Sequence, residues 1–236
     1  MTFAAGLLRD LKRADATRPR LTAYDDTTSP AERVELSARV LDNWVAKAAN
    51  LLQDEGVEPG AVVTLDAPPH WRTAYWAFAV WSVGATLALG REATAQLVVS
   101  TDVETVGRAL HDCPAVLLTL PALVRAAAGA VPDGAIDEAK DLATYPDLFA
   151  PWARPSSTDA ALVDGERTAY ERLAQLAVPC EPGARVHTGT ADTGRFLRIL
   201  LGAYAAGGSV VLSRGRPDED TVTRRLREEG VTLDLG

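Results

Sequence analysis

The sequence contains few of the residue types that mark metal, redox and phosphate-handling sites. Of its 236 residues, two are cysteine, one is methionine and three are histidine. Cys113 and Cys180 have no second cysteine and no histidine at ligand spacing, which excludes a C-x-x-C zinc or redox site and fits a reduced protein. Lysine occurs only at Lys12, Lys47 and Lys140. We therefore predict a cytoplasmic protein with no metal site and no cofactor.

Positive charge is also scarce. The chain has 24 Lys and Arg against 32 Asp and Glu, a formal net charge of -8. Non-specific nucleic-acid binding requires a basic face, and docking on anionic membranes requires basic clusters. The balance of charge therefore predicts neither a nucleic acid nor a membrane as a partner.

One uncharged stretch approaches the length of a membrane span. The residues from Thr73 to Gly90 carry no charge, close to the roughly 18 residues at which a span becomes a candidate. Gly84 divides the stretch, so we interpret it as a buried helix followed by a buried strand. The N-terminal residues 1–20 are too charged for a signal peptide and predict a short amphipathic helix.

Two segments of the chain have similar sequences. Residues 58–89 and 181–212 align without a gap, and both begin with Glu-Pro-Gly-Ala. Farther along, residues 101–110 resemble residues 217–226. In each copy a Pro-Gly turn precedes an apolar run, a polar loop, a helix that ends at glycine, a second apolar run and an amphipathic helix. This pattern predicts an internal repeat.

The alternation of strands and helices predicts an α/β fold. Strand–helix–strand units make right-handed parallel crossovers, whose sheets are covered on both faces. We therefore predict two related α/β halves with mainly parallel sheets covered by helices. The expected boundaries are 1–126 for the first half, 127–158 for a linker and 159–236 for the second half.

A glycine pair in the second copy has the spacing of a nucleotide-binding loop. From Gly189 to Gly194 the sequence fits G-x-x-x-x-G. A P-loop continues with lysine and then serine or threonine, which contact phosphate and magnesium. Arg195 and Phe196 stand at those places, and Asp192 would put a carboxylate inside the cradle. We predict a strand-to-helix turn, at which the helix N-terminus could still attract an anion weakly.

A more specific pattern lies within residues 36–90. A predicted helix leads to Gly56-Val57-Glu58-Pro59-Gly60, then to the Pro68-Pro69 turn and to Val83-Gly84-Ala85. This order resembles the N-terminal part of the acyl-adenylate-forming (AMP-binding) enzymes, which include acyl-CoA synthetases, luciferases and nonribosomal adenylation domains. The second copy resembles the later part of the same large domain. The resemblance implies the fold of a truncated large domain of an acyl-CoA synthetase and membership of a short, uncharacterised bacterial family.

The resemblance also implies catalytic components that this sequence does not match. A Ser/Thr/Gly-rich phosphate loop is expected between Thr158 and Tyr170, where the chain has TDAALVDGERTAY. The adenylate motif and a lid domain with a catalytic lysine would follow Gly236. Adenylation depends on Mg²⁺, lysine and backbone donors around the triphosphate. We therefore expect a non-catalytic or repurposed relative, a pseudoenzyme that acts as a binding or interaction protein.

Two expectations about partners follow. A truncated large domain would expose apolar surface, which predicts a homodimer or a protein partner. The alternative is a small-molecule binder or enzyme that retains an acyl, CoA or adenylate pocket between the two halves. A deep pocket with converging polar groups would favour this alternative, and a filled cleft would favour the interaction protein.

The candidate ligand-binding residues lie at the predicted strand ends, where such folds often bind ligands. They are His70, Arg72, Thr188, Thr190, Thr193 and Arg195. His70 and His187 could form a paired acid/base or anion site. The simpler interpretation, that polar residues populate turns, is favoured, and no residue is predicted to be catalytic.

Serine and tryptophan give no stronger signal. Neither Ser156, Ser157 nor Ser213 has the context of a nucleophile elbow. Trp71, Trp76 and Trp81 recur every five residues, so they wrap around the predicted helix. They could line a ligand pocket, but a central helix packed on several sides is the favoured interpretation.

Overall fold

The fold is built from helices that lie between and around two β-sheets. The computed structural model describes residues 2–90 and 94–236. The helices of these residues are α1 (Phe3–Ala14), α2 (Ala38–Asp54), α3 (Trp71–Val83), α4 (Val103–Ala109), α5 (Glu138–Asp141), α6 (Thr193–Ala205) and α7 (Glu219–Glu228). Short 3₁₀ helices span Leu142–Thr144 and Tyr170–Leu176.

Side-chain caps explain where most of these helices begin. An oxygen or nitrogen of the residue before the helix accepts a hydrogen bond from a backbone N–H of the first turn, which otherwise has no partner. The capping residues are Thr2, Ser37, His70, Asp102, Asp192 and Asp218.

The larger sheet has seven strands in the described residues. In chain order they are β3 (Val62–Asp66), β4 (Thr86–Ala88), β5 (Leu97–Ser100), β6 (Ala115–Leu117), β7 (Ile136–Asp137), β8 (Ala160–Asp164) and β9 (Glu166–Ala169). Their spatial order is β7-β6-β5-β3-β4-β8-β9. All neighbours are parallel except β8 and β9, which form an antiparallel hairpin.

The smaller sheet has five strands in the same described ranges. They are β1 (Pro19–Asp25), β2 (Glu32–Ser37), β10 (Arg185–Thr188), β11 (Ser209–Arg214) and β12 (Leu233–Asp234). Their spatial order is β12-β10-β11-β1-β2, and only β1 and β2 are antiparallel. Two mostly parallel sheets flanked by helices confirm the predicted α/β class.

The sheets draw strands from both sides of the predicted boundaries. The N-terminal hairpin β1–β2, which we did not predict, completes the smaller sheet beside β11. Conversely, β7 from the predicted linker and β8–β9 from the predicted second half extend the larger sheet. The division of the chain into domains at 1–126, 127–158 and 159–236 stays a prediction.

Helix α3 is packed on several sides. Every residue of it except Ser82 is buried, and it contacts α1, α2, α6 and strands of both sheets. Trp81 donates its indole N–H to the carbonyl of Ala161 at 2.9 Å, and the Phe78 ring lies 5.7 Å from that of Tyr204 on α6. The burial of its three tryptophans confirms the favoured interpretation of a central helix.

In the described part of the chain, no helix has the length and apolar character needed to cross a membrane.

Part of the predicted linker lies along α2. Lys47, Asn50 and Gln53 are spaced three residues apart and so share one face of the helix. Their side chains hydrogen-bond the backbone of the segment 143–152, namely at Ala143, Tyr145, Pro146, Leu148, Ala150 and Trp152. We call this segment the α2 strap. Six of its backbone groups are thus bonded by side chains of the helix, and no described strand pairs with the segment.

Close backbone approach makes Gly202 a sensitive position in α6. A Cβ atom there would lie 1.8 Å from the carbonyl oxygen of Val178. Gly202→Ala should therefore lower the free energy of unfolding by about 3 kcal/mol or more, because overpacking forces the backbone apart. Urea titration followed by circular dichroism measures the change.

The matched control is Gly6→Ala in α1, where an added Cβ would have no atom within 4 Å. Alanine is the better helix former, so this variant should gain about 0.5–1 kcal/mol. An unchanged unfolding midpoint for Gly202→Ala would contradict the close approach.

Candidate functional site

Contacts at the carboxyl ends of the strands connect the two sheets. Thr193, the first residue of α6, donates its hydroxyl to the carbonyl of Ala67 in the loop after β3, at 2.8 Å. Nearby, the Arg198 guanidinium lies 2.6 Å from the Asp164 carboxylate at the end of β8. In α/β folds, ligands commonly bind at the carboxyl ends of the strands. Here these hydrogen bonds between protein groups cross that region.

His70 lies buried at this junction. It caps α3, and its Nδ1 accepts the backbone N–H of Arg72 at 3.2 Å. Burial first, and then the charges of Arg214 and Arg72, lower its pKa to about 3, although Asp25 opposes the shift. Asp25 and Arg214, which form an ion pair at the ends of β1 and β11, belong to the other sheet. His70 is therefore a neutral capping residue, because a group with so low a pKa is a weak base at neutral pH.

Arg72 belongs to a buried polar cluster. Its Nη1 lies 2.9 and 3.1 Å from the two carboxylate oxygens of Glu138, and its Nη2 donates to the carbonyl of Pro121 at 3.2 Å. The guanidinium also stacks over the Trp71 ring at 4.3 Å. Tyr75 donates its hydroxyl to the same carboxylate. Burial raises the pKa of Glu138, while Arg72 and Tyr75 oppose that rise.

The candidate residues between 188 and 195 form hydrogen bonds with the protein itself. Thr188 is fully buried, donates to the carbonyl of Gly236 at 3.2 Å and accepts the backbone N–H of Thr190. Thr190 in turn accepts the backbone N–H of Asp192 at 3.1 Å. Arg195 is exposed and donates its Nη2 to the carbonyl of Leu235 at 2.9 Å. Thr188 and Arg195 thereby hold residues 235–236 against the loop.

The glycine-spaced loop is a turn that ends in a capped helix. The Asp192 carboxylate accepts the backbone N–H of Arg195 at 2.8 Å. An anion at a helix N-terminus would bind through such backbone N–H groups. Here the Asp192 carboxylate already accepts this N–H group, in the place that a phosphate would take. At Gly194 an added Cβ would lie 2.3 Å from Asp164 Oδ2, so this glycine makes room for that carboxylate.

The structure therefore separates the predicted residues into two groups. His70 and Arg72 lie at the start of α3, whereas Thr188, Thr190 and Arg195 surround the turn before α6. Thr193 is the member that contacts the loop preceding α3. Within residues 2–90 and 94–236, no side-chain hydrogen bond joins one group directly to the other.

Sequence reasoning missed a polar network around His187. Its Nδ1 lies 2.7 Å from Asp234 Oδ1, and its Nε2 lies 3.1 Å from Ser213 Oγ. Arg225 donates to the same Ser213 oxygen at 2.9 Å and forms an ion pair with Asp26. The order Asp–His–Ser resembles a hydrolase triad, but Ser213 is buried and its hydroxyl is already engaged. Ser213 and Asp234 lie 26 and 47 residues from His187 in the chain, so no local motif marks the network.

A cavity of about 380 Å³ lies beside the buried Arg72 cluster. It is lined by Arg33, Val34, Leu36, Trp44, Trp71, Arg72, Ala122, Leu123, Val124, Glu138 and Ala139. Most of these residues were not predicted to lie at a site, because β2, α2 and the predicted linker meet only in the folded chain. We call it the Trp71 cavity.

In the described residues, no group of three or more His, Cys, Asp or Glu side chains could hold a metal ion.

Replacing His70 with asparagine should weaken the pH dependence of stability. Because the folded pKa is lowered from 6.5 to about 3, the unfolded chain binds a proton below pH 6.5 that the folded chain does not. Wild type should therefore lose about 2 kcal/mol between pH 7 and pH 5 through this residue. Asparagine also caps helices but carries no such proton.

Urea unfolding at pH 7 and pH 5 measures the difference. His111→Asn, at an exposed position, is the matched control for the change of residue type. An equal loss of stability in wild type and His70→Asn would contradict a buried neutral imidazole.

Solved structures with a similar fold are acyl-CoA synthetases and related ligases. A Brucella canis acyl-CoA synthetase superposes with a TM-score of 0.77 at 18% identity, covering 99% of this chain and 47% of that chain. A benzoate CoA ligase from Burkholderia xenovorans LB400 gives 0.71 at 17% identity, covering 99% and 50%. An acetoacetyl-CoA synthetase from Streptomyces lividans gives 0.72 at 20% identity, covering 99% and 42%. The chain thus shares their fold over about half of their length.

At the level of sequence, no family model matches the chain. A protein of Mycobacterium tuberculosis (strain ATCC 25618 / H37Rv), described as a TIGR03089 family protein, is 32% identical over 249 residues. The match covers 98% of this chain and 97% of that protein. Identity at this level over nearly the whole of both chains shows that the chain belongs to the TIGR03089 family.

Proposed function

We propose that this chain is a non-catalytic or repurposed relative of the AMP-binding acyl-CoA synthetases and acts as a binding or interaction protein. The observation that carries the proposal is the β8–β9 hairpin. The resemblance places a phosphate loop between Thr158 and Tyr170, where the two strands are instead joined through Gly165. Asp164 pairs with Glu166 across this turn, and Gly165 has a φ of 71°. A hairpin this tight offers no run of backbone N–H groups to surround a triphosphate.

The charges near the hairpin also disfavour ATP. Its turn carries the carboxylates of Asp164 and Glu166, and the cap of α6 adds that of Asp192. Arg198, a cation in reach of the turn, is paired with Asp164. Phosphoryl chemistry depends on cations and N–H donors aimed at the phosphates. Carboxylates at these positions would repel the triphosphate instead.

The alternative is a small-molecule binder or enzyme with an acyl, CoA or adenylate pocket between the two halves. The Trp71 cavity is the observation that favours small-molecule binding. Against an adenylate pocket at the strand ends, His70, Thr188 and Thr193 are committed to capping and backbone contacts. We therefore favour the non-adenylating relative.

Pyrophosphate exchange tests the absence of adenylation. The purified chain, incubated with ATP, Mg²⁺, labelled pyrophosphate and a panel of carboxylic acids, should give no exchange above the protein-free blank. ATP·Mg and AMP should also leave the melting temperature unchanged. A nucleotide that did bind the folded chain, present at 100 times its Kd, would add about 2.7 kcal/mol of stability and raise that temperature.

A full-length acyl-CoA synthetase in the same assay is the positive control. Exchange that requires a carboxylic acid, saturates with ATP and disappears in Arg195→Ala would overturn the proposal.

Exposed apolar side chains support an interaction surface. Leu148 and Trp152, both in the α2 strap, are 83% and 74% exposed. Large exposed aromatic and aliphatic groups are typical of protein interfaces. A homodimer or a protein partner that covers the strap is part of the proposed function.

Sedimentation equilibrium at micromolar concentration tests the homodimer. We expect self-association that Trp152→Ser weakens about tenfold, because buried tryptophans dominate interface energies. Val103→Ser, an exposed apolar position on α4, is the matched control and should leave association unchanged. A strictly monomeric wild-type chain would contradict the homodimer.

A further inference from the structure

Strand β2 ends the smaller sheet and has one unpaired edge. It bonds β1 in five consecutive pairs, from Leu21–Leu36 to Asp25–Glu32, and no described strand lies on its other side. In an antiparallel ladder, alternate residues direct both their N–H and their C=O groups to the same neighbour. Beyond that ladder, no hydrogen bond between described backbone groups reaches residues 32–36. The groups of alternate residues therefore face away from β1 and are open to a further strand.

This edge lacks the features with which proteins commonly prevent strand pairing. Lysine, proline and bulges serve that purpose on many edge strands. Residues 32–36 contain neither lysine nor proline, and their register with β1 is regular. Beside them lies Leu123, which lines the Trp71 cavity together with Val34 and is 99% exposed. The surroundings of the edge thus favour contact with another protein surface.

Two charged side chains of β2 retain unused hydrogen-bonding atoms. Arg33 and Glu35 share one face of the strand and are 45% and 38% exposed. Arg33 bonds Glu35 through Nη2, and Glu229 through Nη2 and Nε. Its Nη1 has no partner in the described residues, and neither has Oε1 of Glu35. Each side chain can therefore take a further partner of opposite charge.

The order of these charges fits a second copy of the same strand. When two copies pair antiparallel about a two-fold axis, residues of the same face lie opposite each other. With Val34 on the axis, Arg33 of each copy lies opposite Glu35 of the other, which stabilises such a pair. With Arg33 or Glu35 on the axis, like charges would lie directly opposite each other, which destabilises it. The charges therefore select one register.

The edge strand β9 of the larger sheet does not have this property. Its charged residues, Glu166 and Arg167, are neighbours in the strand and so point to opposite faces. When β9 is paired with a copy of itself, these two residues cannot lie opposite each other. The charges therefore favour β2 over β9 as the edge that meets a second copy.

We propose that β2 pairs with β2 of a second copy, antiparallel and with Val34 on the two-fold axis. The smaller sheets of the two copies then form one continuous sheet. Arg33 of each copy donates through Nη1 to Glu35 of the other. This contact goes beyond the proposed function, which places an interface at the α2 strap. If the strap also binds a second copy, the two contacts together allow assemblies larger than a dimer.

Mixing of charge variants tests the pairing. Every chain carries Trp152→Ser, which minimises association through the α2 strap. This parent chain should dimerise in sedimentation equilibrium at micromolar concentration. Addition of Arg33→Glu or of Glu35→Arg should weaken the dimer about tenfold or more, because each change acts twice across the axis and puts like charges opposite each other.

An equimolar mixture of these two variants should associate as the parent does, because each chain supplies the charge that the other lacks. A role of Arg33 and Glu35 within one chain would give no such rescue. Glu166→Arg and Arg167→Glu are the matched controls, since they change exposed charges on the other edge strand. Neither should alter dimerisation.

A disulfide variant provides a test that leaves Arg33 and its contact with Glu229 intact. Val34→Cys should crosslink two chains on mild oxidation, because Cα atoms opposite each other in a ladder lie about 4.5–5.5 Å apart, within reach of a disulfide. Val103→Cys is the control and should crosslink more slowly, although Val103 is more exposed than Val34. Cys113 and Cys180 are present in both chains and give the same background.

Three results would each overturn the proposal. They are a monomeric Trp152→Ser chain, a mixture of the charge variants that does not associate, and a Val34→Cys chain that crosslinks no faster than Val103→Cys. Failure of the proposed function gives different results. Acid-dependent pyrophosphate exchange would leave the β2 contact in place, and a Trp152→Ser chain that is monomeric while wild type associates would refute the β2 contact and leave the strap.

Discussion

The buried ion pair between Arg72 and Glu138 is the contact on which the described site depends. It joins the start of α3, the central helix, to α5 in a segment that composition alone predicts to be a linker. Both side chains are almost completely buried, so each would leave an uncompensated charge if the other were absent. Removal of one partner of such a pair typically costs about 3–5 kcal/mol. The pair therefore fixes the position of the linker and creates one wall of the Trp71 cavity.

The polar side chains at the strand ends contact other parts of the protein. In open α/β sheets, ligands commonly bind at the carboxyl ends of the strands, where polar side chains can contact them. Here Asp25 and Arg214 neutralise each other beside His70, and Thr193 holds the loop of the opposite sheet. The Thr193 hydroxyl thereby helps to hold the two sheets together at this edge.

The sequence predicted the strand–helix–strand segments well, because their signals are local. Apolar runs after Pro-Gly turns correspond to β3 and β10, and glycine ends α3 at Gly84. The hairpin β1–β2 and the strand β5 were missed, since their pairing is decided by neighbours distant in the chain. The same holds for the site. His70 and Arg72 could be singled out from their place after a strand, but Glu138 lies 66 residues from Arg72, and no local pattern connects them.

The α2 strap has a consequence for how this protein can change over evolutionary time. Lys47, Asn50 and Gln53 contact the backbone of the strap, and of its side chains only Asp147 is held as well, by an ion pair with Lys47 in the described residues. Nearly any residue can therefore occupy the outward positions without altering the path of the chain. The outer face that carries Leu148 and Trp152 is free to diversify, whereas an insertion or deletion would put the strap out of register with the three helix residues. The chemistry of this surface can thus be altered by substitution alone, with the two sheets and the Arg72 cluster left as they are.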